Sequence, residues 1–211
     1  MIKNGRIFLA VCGGLALLPA VEAATVFTFN MDACSGTCGA TPFGTVSLAQ
    51  TGAGGAGTFV TVTEVLAANE RFAGTGAGDA LEFNVTGPIT IGNITAGFGL
   101  GPAPDTASAF GTFLESVSCT ACQGGNANNV TGPLSFTVSR ASGVSIADFT
   151  VNARGYYFAS DIVGNNGNTG NVGTAGPGAN IQSTPEPATL ALTGLGLLGL
   201  GAFGRRLRKS K

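Results

Sequence analysis

Residues 80–86 read ALEFNVT, a run in which apolar and polar side chains alternate strictly. In an extended chain Leu81, Phe83 and Val85 share one face, and Glu82 lies on the other. A period of two is typical of a β-strand with one buried face. The run therefore predicts a strand that directs its apolar side chains into a core and its acidic side chain outward.

The same alternation recurs along the chain. Residues 25–31 place Phe27, Phe29 and Met31 on one face. Further candidate strands lie at residues 44–49, 58–66, 89–94, 111–118, 134–139, 147–153 and 156–162. Glycine-rich turns separate them, and no stretch of about 12 residues has a helical period. Eight or nine short strands predict an all-β domain, an antiparallel β-sandwich or jelly roll, with a core built largely from phenylalanine.

The first 23 residues are typical of a secretory signal peptide. Lys3 and Arg6 precede a 12-residue apolar run at 7–18, which is too short to span a membrane. Small residues before Ala24 favour cleavage at that point. We therefore expect residues 1–23 to be removed on export.

Between the signal peptide and residue 184 the composition predicts two parts. Residues 24–163 carry the strand pattern and form the β-domain. Residues 164–184 are rich in Gly, Asn and Thr, so we expect a flexible linker there, because such a segment buries little apolar area. The stretch that follows Asp161 matches no calcium-binding loop, and the sequence predicts no metal site.

The charge of the exported part excludes one class of partner. Residues 24–184 contain nine acidic residues and only three basic ones, Arg71, Arg140 and Arg154, which gives a formal charge of −6. An acidic domain repels phosphate backbones. We therefore expect no nucleic-acid partner.

Four cysteines remain after the signal peptide, namely Cys34, Cys38, Cys119 and Cys122. An even number in an exported chain favours disulfides, and the two close spacings favour local Cys34–Cys38 and Cys119–Cys122 bridges. A redox CxxC and a zinc site are the alternatives. No basic residue near Cys119 would lower its pKa, and an oxidising compartment disfavours a zinc-thiolate site.

The search for a catalytic site gives none. The chain has no histidine, no G-x-S-x-G elbow and no phosphate-binding loop, and we predict neither enzymatic activity nor a cofactor. Glu64 with Glu70, or Glu82 with Glu115, would supply a glycosidase pair if they faced each other. The pattern favours solubilising charges on outer sheet faces and turns.

The last 27 residues have three parts in a fixed order. Pro185, Glu186 and Pro187 precede an uncharged apolar run of 17 residues, 188–204. As a helix this run would reach about 25 Å, close to the roughly 30 Å of a bilayer core. A basic tail follows and should stay in the cytoplasm. Its charged residues are Arg205, Arg206, Arg208, Lys209 and Lys211.

Residues 185–211, with PEPATLAL at 185–192 and an arginine-rich end, resemble the PEP-CTERM sorting signal of Gram-negative bacteria. The resemblance implies recognition by exosortase, a membrane enzyme that cleaves near Pro-Glu-Pro, after a transient stay in the inner membrane. A plain C-terminal anchor is the alternative. Residues 27–46 are more loosely similar to the mature start of such proteins, whose family is associated with exopolysaccharide and biofilm.

Three classes of function remain open. The first is a non-enzymatic protein of the cell surface or extracellular matrix, associated with exopolysaccharide. The second is a carbohydrate-binding sandwich, with a stacking ring from Tyr156, Tyr157 or Phe158. The third is a secreted hydrolase, which would need two close carboxylates in a cleft.

Overall fold

A computed structural model describes residues 24–52, 54–122 and 130–174, and the backbone of 182–183. The predicted signal peptide (1–23), the Pro-Glu-Pro motif, the apolar run 188–204 and the basic tail lie outside the described residues. Within the described part, no helix is long and apolar enough to cross a membrane.

The described residues form fifteen β-strands and one 3-10 turn. Their bounds are β1 Thr25–Cys34, β2 Gly44–Thr51, β3 Phe59–Leu66, β4 Arg71–Phe72, β5 Leu81–Val85, β6 Thr90–Gly92, β7 Gly99–Leu100, β8 Asp105–Ala107, β9 Gly111–Phe113, β10 Glu115–Ser118, β11 Leu134–Ser139, the 3-10 turn Ile146–Asp148, β12 Phe149–Thr150, β13 Phe158–Val163, β14 Thr169–Thr174 and β15 Gln182–Ser183.

The strands form two antiparallel sheets that share β1. Sheet A has the order β6-β11-β3-β2-β1, and sheet B has the order β1-β14-β13-β5-β10-β7. Short strands β15, β4 and β12 add to β1, β13 and β5, and β8 and β9 form a separate hairpin. Phe83 of sheet B stacks on Phe136 of sheet A, with 5.5 Å between ring centroids. The predicted all-β antiparallel fold is therefore confirmed, and the two sheets pack face to face.

Strand β1 passes from one sheet to the other at an irregularity. Its first residues pair with β2, and its last four pair with β14. The register with β14 shifts between Phe29 and Met31. A shift of one residue moves a side chain to the opposite face. Phe29 is therefore buried, but Met31 is exposed, contrary to the prediction that both belong to the core.

Phenylalanine dominates the interior, as the composition predicts. Seven phenylalanines are essentially inaccessible to solvent, namely Phe29, Phe43, Phe72, Phe83, Phe113, Phe136 and Phe158. Rings from β5, β11 and β12 stack around Phe83, which joins the two sheets. Such pairs add roughly 0.5–1.5 kcal/mol each beyond the area that they bury.

Several predicted strands are shorter than expected. The stretch 111–118 is divided at Leu114 into β9 and β10, and 147–153 begins with the 3-10 turn and retains only β12. A capping arrangement explains the turn, because Asp148 accepts hydrogen bonds from the backbone N–H and the hydroxyl of Ser145.

The prediction of a linker from residue 164 is wrong for its first part, because β14 is an interior strand between β1 and β13. Small residues fit here because their neighbours are bulky. A Cβ atom on Gly173 would lie 2.5 Å from Cε1 of Phe110, and one on Gly170 would lie 2.7 Å from the Cα of Cys34. The glycines that resemble linker composition are therefore packing positions.

A pair of truncations tests the role of β14. A protein ending at residue 164 lacks the strand that joins β1 to β13, so it should show no cooperative thermal transition by circular dichroism. A protein of residues 24–184, made in an oxidising compartment, should unfold cooperatively. Equal transitions in the two proteins would contradict the assignment of β14 to the core.

Candidate functional site

The acidic residues are the main departure from the predicted surface. Glu64, Glu70, Glu82 and Asp161 have at most 2% of their surface exposed. The expectation that Glu64, Glu70 and Glu82 are solubilising charges on outer faces and turns is therefore wrong. Burial of a carboxylate is unfavourable unless a proton, a donor or a cation compensates the charge.

Glu64 lies inside the sandwich. It follows Val60 and Val62 at inward positions of β3. Burial raises the pKa of Glu64 well above its usual value. The Ser160 hydroxyl, which donates to the backbone oxygen of Ala80 at 2.7 Å, lowers that pKa by a smaller amount. Burial therefore disfavours the charged form of Glu64.

Glu70 lies beside the first disulfide. Burial and the charge of Asp32 together raise the pKa of Glu70 to about 7. The Asp32 carboxylate itself accepts hydrogen bonds from the backbone N–H groups of Cys34 and Cys38, at 2.9 and 3.0 Å. Glu70 thus changes protonation near neutral pH.

A group that we call the acidic cluster consists of the buried residues Glu82, Asp161 and Asn171 and the partly buried Asp79 and Asp105. Cross-strand pairing places Asp161 opposite Asn171 in sheet B. Glu82 pairs with Ala159, two residues before Asp161, so the side chains of Glu82, Asp161 and Asn171 share the outer face of the sheet. The loop before β5 lies over this face.

Hydroxyl groups satisfy one side of the acidic cluster. Asp161 Oδ2 accepts hydrogen bonds from the Thr75 backbone N–H at 2.9 Å and the Thr75 hydroxyl at 2.6 Å. The two oxygens of Asp79 accept from Ser116 Oγ and Ser118 Oγ. The loop and β10 therefore fix these two carboxylates in place.

Other oxygens of the acidic cluster have no donor. Glu82 Oε2, Asp161 Oδ1 and Asn171 Oδ1 are buried without a hydrogen-bond partner among the described residues. Burial, Asp105 and Asp79 raise the pKa of Glu82 to about 10, and burial raises that of Asp161. Within the described ranges the ion pair is Arg140–Asp148, at 2.7 Å, so no cationic side chain neutralises the cluster.

The carboxylate pairs considered from the sequence do not form. Glu64 lies between the sheets, whereas Glu70 lies near Asp32. Glu115 pairs with Phe83, the residue after Glu82, so Glu82 and Glu115 point to opposite faces of sheet B. Sequence reasoning missed Asp79, although it precedes Glu82 by three residues and its backbone N–H donates to Glu82 Oε1 at 3.3 Å. It also missed Asp105, which only the tertiary fold brings to Glu82.

The predicted disulfides are present. Cys34 is bonded to Cys38 and Cys119 to Cys122, with Cα atoms 5.5 and 5.3 Å apart. Asp32, Cys34 and Cys38 place ligand-type atoms within 4.8 Å of one another. Both sulfurs are in the disulfide, so this group offers no thiolate to a metal.

The aromatic residues considered for sugar stacking pack against other side chains of the domain. Phe158 is fully buried. Tyr156 and Tyr157 are half-buried, and their rings contact Phe110 at 5.0 Å and Phe27 at 4.9 Å. The structure therefore provides no fully exposed ring at these three positions.

The comparisons with known proteins concern the C-terminal end of the chain rather than the β-domain. Residues 183–209 match the family described as the PEP-CTERM protein-sorting motif. No curated protein and no solved structure matches the chain. The match confirms the predicted PEP-CTERM signal, which indicates a protein that is exported, processed by the membrane enzyme exosortase and sorted to the cell surface.

The pKa of Glu70 leads to a pH prediction. Its folded value of about 7 exceeds the ordinary 4.5. The stability that protonated Glu70 contributes is therefore complete below pH 4.5 and is lost as the pH rises through 7. Glu70→Gln should remove a fall of about 3 kcal/mol between pH 4.5 and 7.5, measured by urea unfolding across this range.

Asp148→Asn is the matched control. Burial raises the pKa of Asp148, but hydrogen bonds from Ser145, Arg140 and Thr86 outweigh it and lower the value to about 2. Its contribution is present above the ordinary 3.8 and is lost only as the pH falls towards 2. This variant should lower the whole curve without changing its slope above pH 4.5. An unchanged slope in Glu70→Gln would contradict the assignment.

Proposed function

We propose that the chain is a non-enzymatic component of the cell surface or extracellular matrix, associated with exopolysaccharide after exosortase processing. The sorting motif at residues 183–209 is the observation that carries this proposal. It supplies the route to the surface, and the domain that precedes it supplies what is displayed there.

The distribution of charge supports a role as a neutral, hydrated surface. Of the nine acidic residues between positions 24 and 184, four are buried, four are partly exposed and Asp32 alone is exposed. The described surface instead carries many Thr, Ser, Asn and Gly residues. Hydroxyl and amide groups form hydrogen bonds with neutral sugars without requiring charge pairing. Such a surface is suited to contact with a polysaccharide.

The environment of the carboxylates favours a non-enzymatic role. A glycosidase presents two carboxylates in a cleft that admits substrate. Here Glu64 is enclosed between the sheets and Glu82 is enclosed on the outer face of sheet B. A surface pocket is lined instead by Pro88, Ile89, Thr90, Arg140, Ala141 and Ser142. These residues supply no carboxylate, and the chain has no histidine.

Substitution of Glu186 tests the sorting part of the proposal. Glu186→Ala leaves the apolar run and the basic tail unchanged, so a plain anchor would behave as before. If exosortase reads the motif, the variant should stay full-length in the membrane fraction, and the wild type should reach the surface in a shorter form. Immunoblots of fractionated cells measure both.

Ser210→Ala serves as the control, because residue 210 lies outside the matched stretch. It should be processed like the wild type. Normal processing of Glu186→Ala would contradict the sorting part.

The matrix part is tested by sedimenting the processed protein with exopolysaccharide from the same host. Protein that remains in the supernatant would contradict that part alone.

A further inference from the structure

Each of three neighbouring strands of sheet B carries a buried acceptor oxygen on the outer face of the sheet. Glu82 lies on β5, Asp161 on β13 and Asn171 on β14, and these strands are adjacent in the sheet. One oxygen of each side chain, namely Glu82 Oε2, Asp161 Oδ1 and Asn171 Oδ1, is buried without a hydrogen-bond donor among the described residues. Buried oxygens that lack a donor are rare in folded proteins.

The loop before β5 brings two of these side chains together. A Cβ atom on Gly78 would lie 2.8 Å from Glu82 Oε1 and 2.8 Å from Asn171 Nδ2, so both groups border the same glycine. Asn171 Nδ2 donates to the Ala77 backbone oxygen at 3.0 Å. That bond fixes the position of the amide. Asp161, the direct cross-strand neighbour of Asn171, completes the group.

Protons or a cation must compensate the charge of this group. Glu82 and Asp161 are fully buried, and Asp79 and Asp105 lie near Glu82. The backbone N–H of Asp79 and the hydroxyls of Thr75, Ser116 and Ser118 satisfy only the other carboxylate oxygens. A divalent ion that displaces the proton of Glu82 would match the charge of the two buried carboxylates.

We propose that Glu82, Asp161 and Asn171 bind a calcium ion. All three free atoms are oxygens, which are the donors that hard cations prefer, and the group contains no nitrogen or sulfur donor that would favour zinc or copper. Calcium accepts irregular sets of carboxylate, amide and backbone oxygens, whereas magnesium requires near-octahedral geometry and retains several waters. The ion would tie β5, β13 and β14 together from the outer face.

A calcium titration of the exported protein, purified from the envelope and treated with a chelator, tests the proposal. Calorimetry should show saturable binding of CaCl2 with a Kd of about 1 mM or tighter, the range of extracellular calcium modules. At a roughly hundredfold excess over Kd, calcium should raise the Tm by about 5–10 °C. The same concentration of MgCl2 should have a much smaller effect.

Isosteric variants locate the site. Glu82→Gln and Asp161→Asn should each weaken calcium binding at least tenfold and remove most of the Tm shift. Glu64→Gln replaces a buried acid of the other sheet by its neutral isostere, so this control should keep the full shift. Circular dichroism identifies any variant that does not fold. If a variant does not fold, the calcium titration of the wild-type protein alone tests the proposal.

Three results would overturn the proposal. The first is the absence of both binding and a Tm shift in the wild type at 10 mM calcium, which would mean that protons neutralise the cluster. The second is a full calcium shift in both cluster variants, which would place the ion elsewhere. The third is an equal shift with magnesium, which would remove the assignment to calcium.

Discussion

The pairing of β14 with β1 and β13 is the contact on which the rest of the structure depends. Strand β1 contributes its first half to sheet A and its second half to sheet B, and β14 connects that second half to the remainder of sheet B. Only small residues fit, because Gly173 lies against the Phe110 ring and Gly170 against the Cys34 backbone. A strand with linker-like composition therefore closes the sandwich immediately before the sorting signal.

Closure of sheet B also explains why so many acids are enclosed. β14 places Asn171 beside Asp161, and the loop before β5 covers Glu82. The domain is acidic by composition, yet its exposed surface carries little charge.

The sequence predicted features that depend on local pattern. Alternation at residues 80–86 identified β5, and close cysteine spacing identified both disulfides. The sequence-based predictions were wrong where residues distant in the chain determine the environment of a side chain. Glu82 alternates like a surface residue, but a loop covers it, and the irregularity in β1 turns Met31 outward. The acidic cluster was not foreseeable, because Asp105 and Asp161 come from segments distant from Asp79 and Glu82.

The sorting signal and the domain are adjacent in the chain, since the matched stretch begins at residue 183, within β15, which pairs with the start of β1. Mass spectrometry of the protein recovered from its native envelope, without reduction, tests most directly whether this is a sorted surface protein. We expect a chain that begins at Ala24, ends near Pro185–Pro187 and contains the Cys34–Cys38 and Cys119–Cys122 bridges. A chain that retains residues 188–211 at the surface would contradict this account.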